Sequence, residues 1–106
     1  MEEGIIYLVQ PADLVETDRF KIGFSPKPTL DWKNKYPQGS RFICLMESPG
    51  CPILKNIICA QFKKKYDMVA GPDCFEGDEK EIIQDFFLIV CNFKEFCMEL
   101  DHNMDL

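Results

Sequence analysis

The sequence predicts a small α+β domain of three strands and three helical segments, and three observations predict it. Gly4-Ile5-Ile6-Tyr7-Leu8-Val9 and Phe20-Lys21-Ile22-Gly23 are short apolar runs, rich in β-branched and aromatic residues and each carrying a glycine. Both are too short for helices and read as strands. A third run, Arg41 to Glu47, has the same character, and two later segments repeat their apolar residues at helical spacing.

In the first strand Ile5, Tyr7 and Val9 share one face, while Ile6 and Leu8 share the other. A strand apolar on both faces is normally covered on both sides, which places it centrally in its sheet. The second strand turns Phe20, Ile22 and Phe24 inward and Arg19 and Lys21 outward. Ser25-Pro26-Lys27-Pro28 is a loop, because two prolines remove donors and bias their predecessors toward extended geometry. Thr29 is placed to cap a short helix through Tyr36, which Pro37-Gln38-Gly39 ends. The third strand sets Phe42, Cys44 and Met46 on one face and Ile43 and Leu45 on the other, before Ser48-Pro49-Gly50 turns the chain.

Residues 53–66 then read as an amphipathic helix, with Ile53, Leu54, Ile57, Ile58 and Phe62 on one stripe and Lys55, Asn56, Lys63 and Lys64 facing away. Gly71-Pro72-Asp73 breaks the chain, and Phe75-Glu76-Gly77 leads to a last helix over about 79–100. Asp78 followed by Glu81 fits a capping box, with Asp in place of Ser or Thr. Within this helix Phe86-Phe87-Leu88-Ile89-Val90-Cys91 is apolar around the full circumference. Part of it is therefore expected in the core and part against another chain, making Phe86, Phe87, Ile89 and Val90 candidate interface residues of a homodimer. One domain over residues 1–100 and a frayed tail at 101–106 complete the reading.

The 106-residue chain has a net charge of −6, unevenly distributed. Residues 19–65 carry a balance of +8, whereas residues 66–106 carry −9. Lys21, Trp32, Lys33, Lys35, Arg41, Lys63, Lys64 and Lys65 are the candidates for a nucleic-acid face; the same residues read equally as a solvated basic surface. Trp32 among lysines suits a base-stacking platform or simple packing. No apolar run approaches the ~20 residues of a membrane span, and the acidic Met1-Glu2-Glu3 does not resemble a secretory signal. An intracellular protein is expected. Its six cysteines lack any C-x-x-C pair and read as buried thiols rather than disulfides or a zinc site, with the lone His102 in the tail.

The order G-x-I-Y-x-V, spacer, K-I-G, helix, strand, helix, Phe-Glu-Gly-Asp and last helix resembles the T5orf172 branch of the GIY-YIG endonuclease superfamily, over about residues 4–90. It is closest to small versions encoded by large DNA viruses of eukaryotes. The resemblance implies a three-stranded antiparallel sheet flanked by helices, and the cytoplasm or nucleus of an infected host cell. It also implies a phosphodiester-cutting site in which the strand tyrosine, here Tyr7, helps activate water. Lys21 stands where the superfamily's second tyrosine usually stands. An arginine should steady the transition state and a helix glutamate should hold one divalent metal.

Two of those parts differ. The arginine position falls at Asp31, with Lys33 as the nearest substitute, and a lysine lacks the planar fork that grips phosphate. The glutamate position falls at Lys55, and an ammonium cannot ligate Mg²⁺. Tyr7, Lys21 and Lys33 are thus the catalytic candidates if activity is retained, and Mg²⁺ is expected only in that case. Otherwise no metal or other cofactor is expected, and Tyr7 is a sheet aromatic with its hydroxyl satisfied. The expected function is a catalytically degenerate GIY-YIG-like domain that binds nucleic acid weakly or a host or viral protein. The alternatives are a metal-dependent DNA endonuclease and a small homodimeric adaptor.

Overall fold

The strand Glu3–Gln10 (β1) lies between Arg19–Ser25 (β2) and Arg41–Pro49 (β3) and is antiparallel to both. The structure is a computed structural model and describes the backbone of residues 2–104 and the side chains of residues 2–100. The sheet has five strands rather than the expected three, because Asp67–Met68 (β4) and Cys74–Glu76 (β5) extend it beyond β2 in the order β3-β1-β2-β5-β4. Phe75 pairs with Phe20 and Glu76 with Arg19, so the stretch read as a lead-in to the last helix is itself a strand. Segments of two and three residues are too short to display an alternation that sequence could reveal.

Both α-helices, Cys51–Lys65 (α1) and Glu79–Met104 (α2), cover one face of this sheet. Ile6, Leu8, Phe20 and Ile22 pack there against Leu54, Ile58 and Phe62 of α1 and Ile82, Phe86 and Val90 of α2. The other face carries Ile5, Tyr7 and Val9, closed by Trp32 from a 3-10 turn at Asp31–Lys35 together with Tyr36, Phe42 and Leu45. The two-sided apolar pattern of β1 therefore has the expected cause, a central strand with a core on each side.

A β-bulge changes the expected faces of β3. Leu8 is opposite Cys44, but Val9 is opposite Phe42, leaving Ile43 as the extra residue. A bulge inserts one residue and so reverses the side-chain parity beyond it. Phe42 consequently joins Leu45 above Tyr7, while Ile43, Cys44 and Met46 pack toward the helices.

The expected Thr29 cap is absent: Leu30 precedes the 3-10 turn without a side-chain cap, and only that single turn forms. In α1 the assigned stripe holds for Leu54, Ile58 and Phe62, whereas Ile53 is exposed. Asp78 does cap α2, its Oδ2 accepting from the Glu81 N–H at 3.1 Å. That helix runs on to Met104 instead of stopping near Leu100; Asp105, Leu106 and the side chains of residues 101–106, His102 included, lie outside the described residues.

The apolar run of α2 divides sharply. Phe86 and Val90 are completely buried within the one chain, so as interface residues they are corrected to core residues. Phe87 and Leu88 are half-exposed, and Leu88 had not been assigned to an interface. Burial raises the Cys44, Cys59 and Cys74 thiols and pushes Cys51 up to about 11, which suits inert packing residues. Among the described residues no helix is long and apolar enough to cross a membrane.

Candidate functional site on the Tyr7 face

Register sets the geometry of this face. Tyr7 is opposite Gly23 on β2 and Leu45 on β3, and Lys21, two residues before Gly23, is opposite Val9. A Cβ on Gly23 would lie 2.5 Å from the Tyr7 ring, so the glycine of K-I-G is the floor on which that ring rests. Trp32 forms the roof, with ring centroids 3.9 Å apart and planes 4° from parallel. Tyr36 and Phe42 close the sides edge-on.

The Tyr7 and Tyr36 hydroxyls are hydrogen-bonded at 2.8 Å. Burial raises the pKa of the Tyr7 phenol far above its ordinary value, and the Tyr36 hydrogen bond and the negative charge of Asp73 add to that shift. A phenol so held has its hydroxyl satisfied and its ring only 5% exposed. It is not poised to give up a proton near neutrality. Trp32 is 4% exposed and offers no stacking surface to a base, which corrects its assignment as a nucleic-acid platform. Its Nε1 is buried and, among the described residues, without a hydrogen-bond partner.

Asp73 is the carboxylate whose charge reaches Tyr7, and its role could not be read from local spacing. Its Oδ2 accepts from Lys55 Nζ at 3.2 Å in a half-buried ion pair. Lys55 was expected to face solvent and instead reaches this acid, passing 5.8 Å above the Phe24 ring. The donors here do not fit a divalent cation, because the Lys55 ammonium already engages the carboxylate whose charge reaches Tyr7. Among the described residues no three His, Cys, Asp or Glu side chains converge as metal ligands. Glu76 is paired with Arg19 at 3.1 Å.

The basic candidates do not form one surface. Lys21 and Lys35 line a common cleft of about 420 Å³ with Asp13, Tyr36 and Asp73. Lys33 lies over the Phe42 ring at 5.0 Å. Arg41 donates to Gln10 Oε1 at 2.8 Å and pairs with Glu79 at 2.9 Å. Lys63, Lys64 and Lys65 end α1, across the sheet from the 3-10 turn, and Lys65 is engaged by Asp85 and Glu81. The single nucleic-acid face expected from the run of positive charge is therefore split by the sheet between its two sides.

Tyr36 and Phe42 are the residues of this face that sequence reasoning passed over. Tyr36 stands four residues after Trp32, a spacing that joins side chains on a helical turn. Phe42 was displaced to this side by the bulge, which leaves no mark in the residue pattern. Comparison with family models, with curated proteins and with solved structures returned no match.

Proposed function

We propose that this chain is a catalytically degenerate GIY-YIG-like domain of viral type that works as a binding module and does not cut phosphodiesters. The observation that carries the reading is the enclosure of Tyr7 between Gly23 and Trp32 with its hydroxyl bonded to Tyr36. Phosphodiester cleavage needs an activated water, a cation for the developing charge and a held metal. Tyr7 is only 5% exposed, and Lys55, at the position where the resemblance implies a metal-binding glutamate, is ion-paired with Asp73. Loss of the metal alone removes several kcal/mol of transition-state stabilisation, a thousandfold or more in rate.

The binding surface favoured by the charge and the exposed apolar groups is a protein-binding one on α1 and α2. Leu88, Phe96, Met98 and Leu100 are exposed on α2, and Ile53 is exposed on α1. A second reading, weak binding of a phosphate backbone, draws support from Lys21 and Lys35 flanking one cleft. The protein incubated with Mg²⁺ or Mn²⁺ is expected to leave plasmid and single-stranded DNA intact, with Tyr7→Phe behaving identically. Metal-dependent cutting that vanishes in Tyr7→Phe would instead establish the endonuclease. Fluorescence anisotropy with labelled DNA at low and raised salt separates the second reading, which requires salt-sensitive binding lost in Lys21→Ala/Lys35→Ala.

A further inference from the structure

Three charged side chains line one cleft beside β2, and none of them has a partner within the described chain. The cleft, of about 420 Å³, is bounded by the turn after β1, by Tyr36 and Pro37, and by the turn before β5. That is the size of a small-molecule site. Lys21, Lys35 and Asp13 line it and make no ion pair or side-chain hydrogen bond among the described residues. Asp73, the other carboxylate of the cleft, is already engaged by Lys55.

Lys21 is half-buried on β2, opposite Val9 on one side and Cys74 on the other. A partly desolvated ammonium without a counter-charge favours an anion. The charges of Lys21 and Asp13 both reach the Cys74 thiol, in opposite senses, so acid and base sit around the same spot. Yet the two do not meet. Opposite charges held apart in one cleft are complementary to a ligand that carries both signs.

Tyr36 adds a neutral donor. The Tyr7 hydroxyl is buried, and the Tyr36 hydroxyl is its single hydrogen-bond partner among the described residues. If Tyr7 accepted in that bond, its own proton would be stranded in the core, so Tyr7 donates and Tyr36 accepts. The upward push of this bond on the Tyr7 phenol is the effect expected on a donor. The Tyr36 proton is thereby left for a ligand oxygen in the cleft that Tyr36 lines. Pro11, Leu14 and Pro37 supply an apolar wall.

We infer that this cleft binds a small zwitterion of the α-amino-acid type with an apolar side chain. Its carboxylate is held by Lys21, Lys35 and the Tyr36 hydroxyl, its ammonium by Asp13, and its side chain by the proline and leucine wall. This goes beyond the binding-module reading, and the ligand differs from the phosphate backbone of the second reading.

L-Valine is the probe, with isovalerate lacking its ammonium and valinamide lacking its carboxylate. Titrated into isotope-labelled protein, L-valine should shift the amide signals of Lys21, Tyr36 and Cys74 saturably, with a Kd of about 1 mM or below. Each analogue should bind about tenfold more weakly, having lost one charge-assisted contact. Lys21→Ala and the exposed Asp13→Asn should each weaken valine about tenfold while keeping the wild-type circular dichroism spectrum. Against labelled DNA, Asp13→Asn should leave binding undiminished, because it removes a negative charge.

No saturable shift up to about 50 mM valine overturns the inference. Isovalerate or inorganic phosphate binding as tightly as valine overturns it too, since the cleft is then an anion site only. Valine binding unchanged in Asp13→Asn overturns the place given to the ammonium. None of these results alters the cleavage assay, whose outcome decides the binding-module reading separately.

Discussion

Gly23 and Tyr7 are matched across β1 and β2 so that the ring of one fills the space where the other lacks a side chain. The 2.5 Å separation that a Cβ would create is far inside van der Waals contact. Gly23→Ala is therefore expected to destabilise the protein by about 2–3 kcal/mol, the upper range for overpacking. Tyr7→Ala should itself be destabilising, yet the double variant should lose less than the sum of the two. Urea denaturation of the four proteins checks this, and simple additivity would show that the two positions are not coupled.

Trp32 is the sole tryptophan, which makes its enclosure directly visible. Its emission should be blue-shifted and shielded from acrylamide in the folded protein, moving red only on unfolding. Trp32→Ala should cost about 3–5 kcal/mol by opening a cavity above Tyr7. Strong quenching of the native protein would contradict the roof assigned to this ring.

The Lys55–Asp73 pair should couple by about 1 kcal/mol in a double-mutant cycle of Lys55→Met and Asp73→Asn, since each partner is only partly screened from water. Removal of Lys55 alone should be worse than removal of both, because it leaves the Asp73 charge facing the Tyr7 face. Equal stability of Lys55→Met and the double variant would count against that ion pair.

Acid and alkali should act through Asp85 and Tyr66. Burial raises the Asp85 carboxyl, but the hydrogen bonds from Tyr66 at 2.6 Å and Lys65 at 2.9 Å outweigh it and leave the pKa below its ordinary value. A lowered folded pKa contributes stability that is present above the unfolded value near 3.8 and lost as pH falls through the folded value. Asp85→Asn should flatten that part of the acid unfolding curve. Burial, then the same bond to Asp85, raises the Tyr66 phenol, and its stability contribution is present below about pH 10 and lost as pH rises through the higher folded value. Absorbance at alkaline pH should show the Tyr7 and Tyr66 phenols still protonated past pH 10, ionising only with unfolding.

Much of this molecule was legible in its sequence, and the limits have physical causes. The runs around Tyr7 and Ile22 announced strands because their apolar residues occupy both faces or alternate cleanly, and Asp78 announced a helix start through the amide it caps. The bulge at Ile43 was invisible because inserting one residue alters parity without altering composition. Strands β4 and β5 were invisible because their pairing is supplied by a neighbour, β2 for β5 and β5 for β4, rather than by any local preference. At the candidate site, Tyr7 was recognised and its partners were not. The contact of Lys55 with Asp73 spans a helix terminus, a strand and a turn, a relation that only the folded chain creates.

The central position of β1 has a consequence for the order in which the protein matures. Ile5 to Val9 are synthesised before either of their pairing strands, and the second of these ends at Pro49. At about 5–20 residues per second, that strand follows roughly 2–8 s later. Throughout this interval the most buried strand of the finished protein, strongly β-prone, lacks one of its two pairing strands. The nascent chain is thus most vulnerable to association with its neighbours on the polysome before β3 emerges. Once the sheet closes, the same amides become the last to exchange with solvent, opening only when the whole domain does.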